Sequence, residues 1–158
     1  MDVLDFEKII LARTCGYSDY DEHFLIKKSS GGLQMAAKIN GGEVGALYGD
    51  ENCYLLIAAL LKLCEADKWH GFHEYAESEP TLGPIDLDCK KKDFFGLIIE
   101  LTGGRLVCAG GGRVYPKNFF KFYNVIRAVM PAPGETVRCG LSERELEASF
   151  EFIKQLER

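Results

Sequence analysis

The sequence predicts a single α+β domain in which an antiparallel sheet of four to five strands packs with three helices. Two observations lead there. Short runs rich in β-branched and aromatic residues are separated by glycine-containing connections of hairpin length. Three longer stretches instead carry helix-start signals followed by apolar residues at helical spacing.

Taken in order, FEKIILAR (residues 6–13) has strand composition, with a short N-terminal helix as the alternative, and GYSDYDE (16–22) has loop composition. HFLIKK (23–28) and LQMAAKI (33–39) flank SSGG, where glycines able to take positive φ favour a hairpin. After a second glycine turn at 40–42, EVGALY either extends the meander or leads into a helix. That helix, 52–67, has Asp50 as its N-cap and Glu51 in its first turn. Apolar residues at 54–61, 63 and 64 cover most of its circumference, which places it in the core.

Pro80 and Pro84 interrupt residues 75–88, an expected irregular loop. DFFGLIIEL (93–101) and RLVCA (105–109), joined by TGG, form a second hairpin signal. Pro116 suits the first turn of a helix over 116–130, because the amide it lacks would be unpaired there. Phe119, Phe122, Tyr123 and Ile126 share one face of it. After the break MPAPGE, Ser142 and Glu145 have the spacing of a capping box. They open a helix over 142–157 with Leu146, Phe150, Ile153 and Leu156 on one side. Residues 131–158 thus read as a C-terminal helical extension of one domain spanning 1–158.

Composition narrows the function. With 158 residues, 47% hydrophobic and 27% charged, the chain suits one globular domain. Its longest apolar run, Tyr54 to Leu61, is far below the roughly 20 residues of a membrane span, and MDVLDFEKII is too acidic for a signal peptide. No membrane association is expected. Six cysteines without a CxxC pair argue against zinc and, lacking a secretory signal, for reduced thiols in the cytoplasm. Cys53, Cys64 and Cys108 lie in apolar stretches, where a thiol serves as a small buried hydrophobe. A net charge of −5 disfavours nucleic acid, whose phosphates require a cationic face.

The segments WHGF (69–72), DFFGLIIEL-TGG-RLVCA and GGRVYPKNF (111–119) together resemble a family of small uncharacterised bacterial proteins. In that family a tryptophan-glycine-aromatic signature and a hairpin precede the pattern G-S-N-A-Y-P-x-N-F and a helix. The resemblance spans roughly residues 6–130 and implies an α+β domain with an antiparallel sheet, but no activity. Gly112 stands where the family has serine and Arg113 where it has asparagine, which weakens any role those polar side chains carry.

The candidate chemistry is sparse. Gly110, Gly111, Gly112 and Arg113 could cradle an anion with backbone amides and one cation, or simply turn a strand into a helix. The chain has no G-x-x-x-x-G-K-[ST] and no G-x-S-x-G. His70 and His73, with Glu74, are too few to assemble a metal site, and no sequence context ties a cysteine to a histidine. No catalytic residue, cofactor or metal is expected, and the balance is against an enzyme.

Charge distribution is more suggestive. Seven acids against one lysine occupy residues 65–88, followed by Lys90, Lys91 and Lys92. Asp19, Asp21, Glu22, Glu74, Glu77 and Glu79 are the candidate docking residues, with Tyr17, Tyr20, Phe72 and Tyr75 as aromatic anchors. The leading expectation is a non-enzymatic protein-binding module, immunity-like or inhibitor-like, that docks a basic partner through an acidic face. The alternative is a small-ligand or anion-binding protein centred on Gly111, Gly112 and Arg113.

Overall fold

The structure is a computed structural model that describes residues 2–15, 20–76 and 93–155. Its elements are β1 (Phe6–Cys15), β2 (Tyr20–Ser29), β3 (Gly32–Ile39), β4 (Gly45–Asp50), α1 (Glu51–Leu63), β5 (His73–Tyr75), β6 (Phe94–Leu101), β7 (Leu106–Gly112), α2 (Phe119–Val129), β8 (Thr136–Cys139) and α3 (Glu143–Gln155). A 3-10 turn at Ala66–Trp69 follows α1.

The α+β class and the three helices stand, but the sheet is larger than expected and mixed. Among the described residues it has eight strands in the order β5-β7-β6-β1-β2-β3-β4-β8. The six inner strands are antiparallel neighbours, while β5 joins β7 and β8 joins β4 in parallel. EVGALY does extend the meander, as β4. The two parallel strands are three and four residues long, too short for an alternating pattern to show in sequence. Because β8 lies within 131–158, that segment is not only a helical extension; it adds a strand to the sheet.

Alternation assigns the faces. Phe6, Ile9, Leu11, Phe24, Ile26, Leu33, Met35, Leu97, Ile99 and Val107 are buried in one cluster with Ile57 and Leu60 of α1, Phe119 and Phe122 of α2, and Leu146 and Ile153 of α3. All three helices therefore cover the same face of the sheet. The opposite face carries the alternate residues of each strand and, among the described residues, has no helix over it.

The caps explain the helix limits. Asp50 Oδ1 accepts the Cys53 amide at 3.0 Å and Oδ2 accepts the Leu141 amide at 3.1 Å, so one carboxylate starts α1 and ties down the approach to α3. The helix ends at Leu63 instead of 67, since Glu65 takes φ of +53°. At α2, Pro116 lies before the helix, which begins at Phe119 after Asn118 at φ of +70°. Trp69 donates its indole N–H to Lys117 O at 2.9 Å and packs on Phe119 and Phe122, joining the WHGF segment to the start of α2. Ser142 and Glu145 form the expected capping box, the amide of Glu145 donating to Ser142 Oγ at 3.1 Å.

Candidate functional site

The sheet register gathers the candidate residues at one end. In one transverse row Glu74 pairs with Gly111, Gly111 with Phe95, Phe95 with Arg13, and Arg13 with Glu22. In the adjacent row Tyr75 pairs with Gly112, Gly112 with Phe94, Phe94 with Thr14, and Thr14 with Asp21. Successive residues of a strand point to opposite faces. The first row therefore addresses the helices and the second the uncovered face.

This alternation divides the expected acidic face. Asp21 lies on the uncovered side, where it accepts a hydrogen bond from Thr14 Oγ1 at 3.1 Å and sits 3.4 Å from His23 Nε2. Glu74 is exposed on edge strand β5, opposite to Tyr75. Glu22 is a correction: it has 0% exposure and belongs to the interior, so it cannot be a surface docking charge. The loop composition of GYSDYDE masked this, because β2 already begins at Tyr20 and Glu22 faces inward in register with Arg13. Asp19, Glu77 and Glu79 lie outside the described residues.

Around Glu22 runs a chain of polar groups that sequence reasoning missed. Tyr123 donates its hydroxyl to Glu22 Oε1, and Arg127 Nε lies 3.0 Å from Glu22 Oε2. Arg13 donates from Nε to the Tyr115 hydroxyl at 3.1 Å, and Tyr115 donates in turn to Asp93. The Arg13 guanidinium carbon is 4.7 Å from the centre of the Tyr123 ring and 5.4 Å from that of Phe120. Burial works against the charge of Arg13, but hydrogen bonds to Tyr115 and Tyr123 outweigh it and raise its pKa. Burial, with donation to Asp93, pushes the Tyr115 phenol up to about 12, and burial with donation to Glu22 does the same for Tyr123. Hydrogen bonds join Tyr123 to Glu22, Arg13 to Tyr115 and Tyr115 to Asp93, while Arg127 adds an ion pair to Glu22; the network fastens α2 to the end of β1 and β2. Arg13 had a signal in the sequence, a cation at an inward position of the apolar run FEKIILAR.

The glycine segment is also different from its expectation as a loop. Strand β7 runs through Gly112, and Gly111 and Gly112 pair with both β5 and β6. The Gly110 amide donates to Phe72 O at 3.0 Å and that of Arg113 to Asp93 O at 2.9 Å. The amides an anion cradle would use are thus engaged in backbone pairing. The glycines answer a packing need instead. A Cβ on Gly111 would lie 2.6 Å from Val114 O and 2.8 Å from a Phe95 ring carbon, and one on Gly112 would lie 2.8 Å from Tyr75. Arg113 follows at φ of +59°, in the left-handed region.

The uncovered face holds an apolar groove with the form of a binding site; a larger, more charged one of about 710 Å³ lies between α1 and α3, lined by Lys62, Glu65, Lys68, Glu147, Glu151 and Lys154. Ile10, Leu25, Tyr48, Tyr75, Phe94, Ile98 and Leu106 are all large and apolar, and they are 38–53% exposed on the uncovered face. Among them lies an open trough of about 580 Å³, whose floor is Ala12, Gly96 and Gly110 and whose sides include Ile10, Ile98, Cys108, His73 and Tyr75. Ala12, Gly96 and Gly110 are direct cross-strand neighbours, so the trough crosses three strands. Gly96 has no packing reason to be glycine: a Cβ there meets nothing within 4 Å, and its φ is not positive. Its signal in the sequence was a glycine interrupting the strand run FFGLIIEL.

Hydrogen bonding and ring packing hold this side of the trough. His70 Nδ1 accepts the Cys108 amide at 3.1 Å, and His73 meets Tyr75 edge to face at 4.9 Å. Cys108, expected as a small buried hydrophobe, is exposed on this face, whereas Cys53 and Cys64 are buried as expected. No family model matches the chain, and no significant match was found among curated proteins or solved structures. The resemblance carried by WHGF and GGRVYPKNF therefore assigns no family here.

Proposed function

We propose that this chain is a non-enzymatic protein-binding module, immunity-like or inhibitor-like in kind, that engages its partner through the uncovered face of the sheet. The glycine-floored trough carries the reading. Glycine inside a strand costs about 0.5–1 kcal/mol relative to alanine, and at Gly96 neither backbone conformation nor packing requires it. An open floor admits a side chain or backbone of another molecule to close approach. A contiguous set of exposed apolar residues on a folded domain is the usual mark of such a contact.

The occupant that fits is an apolar or aromatic side chain of a partner protein, seated between Ile10, Ile98 and Tyr75. Asp21 lies in the row of Tyr75 and Phe94, and with the chain's net charge of −5 it favours a basic residue beside that anchor. Opposite charge accelerates encounter, while the apolar contact supplies most of the affinity.

Gly96→Leu tests the reading, since it fills the floor without touching the core. The captured partner of the native chain is expected to be lost with this variant while the melting temperature is held or raised. Affinity of the native chain is expected to fall as salt increases. Capture of the same protein with unchanged affinity by folded Gly96→Leu overturns the proposal.

A further inference from the structure

Cys53 and Cys139 come from segments 86 residues apart, yet the fold brings them into one space. Cys53 is the third residue of α1, and its amide is held 3.0 Å from Asp50 Oδ1, which fixes where its side chain starts. Directly below it stands Gly49, where a Cβ would lie 2.6 Å from Cys53 Cβ and 2.9 Å from Cys53 Sγ. The sulfur thus occupies the space that Gly49 leaves. In the parallel pair of β4 and β8 the neighbour of Gly49 is Cys139. Cys139 packs against the core on that same side, and Cys53 Sγ lies 3.6 Å from the Cys139 carbonyl oxygen.

Neighbouring strands are about 4.8 Å apart, and a disulfide joins Cβ atoms roughly 3.5–4.5 Å apart. Cys53 Cβ, seated over Gly49, is thus about one strand spacing from Cys139, close to the separation a disulfide spans. Both thiols are free in this structure. Cys64 lies at the end of α1 and Cys108 on the uncovered face, away from this pair.

We infer that Cys53 and Cys139 are an oxidisable dithiol, the site at which a small-molecule disulfide of the glutathione class installs an intramolecular bond between α1 and β8. Cys139, half-buried, is where the exchange begins. Its thiolate attacks the small disulfide, forms a mixed disulfide and expels one small thiolate. Cys53 then gives up its proton and attacks the Cys139 sulfur, expelling the second small thiolate. Two protein thiols are oxidised and one small disulfide is reduced to two thiols. Burial, with a hydrogen bond to Asp50, pushes the Cys53 thiol up to about 12, which explains why it acts second. The bond would fasten to α1 the strand that leads into α3.

The test uses the folded native chain and oxidised glutathione, followed by alkylation of remaining thiols and peptide mapping. The expected product is a peptide pair joined through Cys53 and Cys139 without retained glutathione. A rise in melting temperature of roughly 5–15 °C, reversed by reductant, should accompany it, because the link restricts a long loop of the unfolded chain. Cys139→Ser, compared with its own reduced form, should show no such rise. Recovery of Cys139 as a lasting glutathione adduct, its bonding to a different cysteine, or no uptake of oxidant by the folded chain would overturn the assignment. Because the mapping is done on the native sequence, its outcome does not depend on how well the variant folds.

Discussion

Arg127 Nε lies 3.0 Å from Glu22 Oε2, and Glu22 is wholly shielded from solvent. Among the described residues that oxygen receives no hydrogen bond, so the guanidinium supplies charge without an aligned N–H. A buried ion pair broken from one side leaves an uncompensated charge, typically at a cost of about 3–5 kcal/mol. Arg127 is 37% exposed, so Arg127→Ala is expected at the low end, about 3 kcal/mol by urea denaturation. Replacing both residues with leucine should cost less than the two single changes added together. Additive losses would show that the pair is not coupled.

Tyr115 and Tyr123 give the fold an alkaline limit. Each phenol has its pKa raised to about 12 by burial first and by donation to a carboxylate second. A phenol that holds its proton more tightly when folded stabilises the fold fully below its unfolded value, about 10. That contribution is lost as pH rises through the folded value. Tyrosinate absorbance is therefore expected to appear in two stages, the later one coinciding with unfolding. Tyr115→Phe and Tyr123→Phe should each remove part of the late stage.

Asp50 sets an acid limit with the opposite sign. The amide of Cys53 first, and that of Leu141 further, hold its carboxyl below the usual carboxylate value. Its contribution is present above the unfolded pKa and fades as pH falls through the lowered folded one. Asp50→Ala is expected to cost about 1 kcal/mol as a lost N-cap, with a further loss from the unpaired Leu141 amide. The difference in melting temperature between the native chain and Asp50→Ala should shrink on acidification.

Glycines of the two hairpin strands β6 and β7 should respond in opposite directions. Gly96→Ala places a methyl group in open space and is expected to stabilise by about 0.5–1 kcal/mol. Gly111→Ala drives one to within 2.6 Å of Val114 O, where overpacking costs roughly 1–3 kcal/mol. Thermal denaturation of the two variants separates a glycine that the packing does not require from one that it does.

Most of the inner sheet was legible from composition, since FEKIILAR, HFLIKK and FFGLIIEL are β-branched and apolar runs set between glycine-bearing connections. The helices were legible from apolar residues at helical spacing and from Asp50 and Ser142, whose side chains do cap α1 and α3. Strands β5 and β8 were not legible, since their pairing is made by β7 and β4 and leaves no local pattern. Of the residues singled out in the sequence, Asp21, Glu74 and Gly112 do lie at one end of the sheet, but their distribution between its two faces was not legible. Charge counting treats Glu22 and Asp21 as equals, whereas consecutive strand residues point opposite ways, and only tertiary register shows which one Arg13 and Arg127 meet. Cys108 failed similarly, an apolar neighbourhood in sequence becoming an outward position in the pleat.

The ends of the sheet bear on edge-to-edge association between copies of such a chain. An apolar sheet face flanked by long strands with free amides would recruit further copies edge to edge into fibrous stacks. Here the flanking strands are three and four residues long, and the imidazole of His70 occupies the amide of Cys108 just where β5 stops covering β7. The uncovered face is thus left open without its margins offering a template for polymerisation.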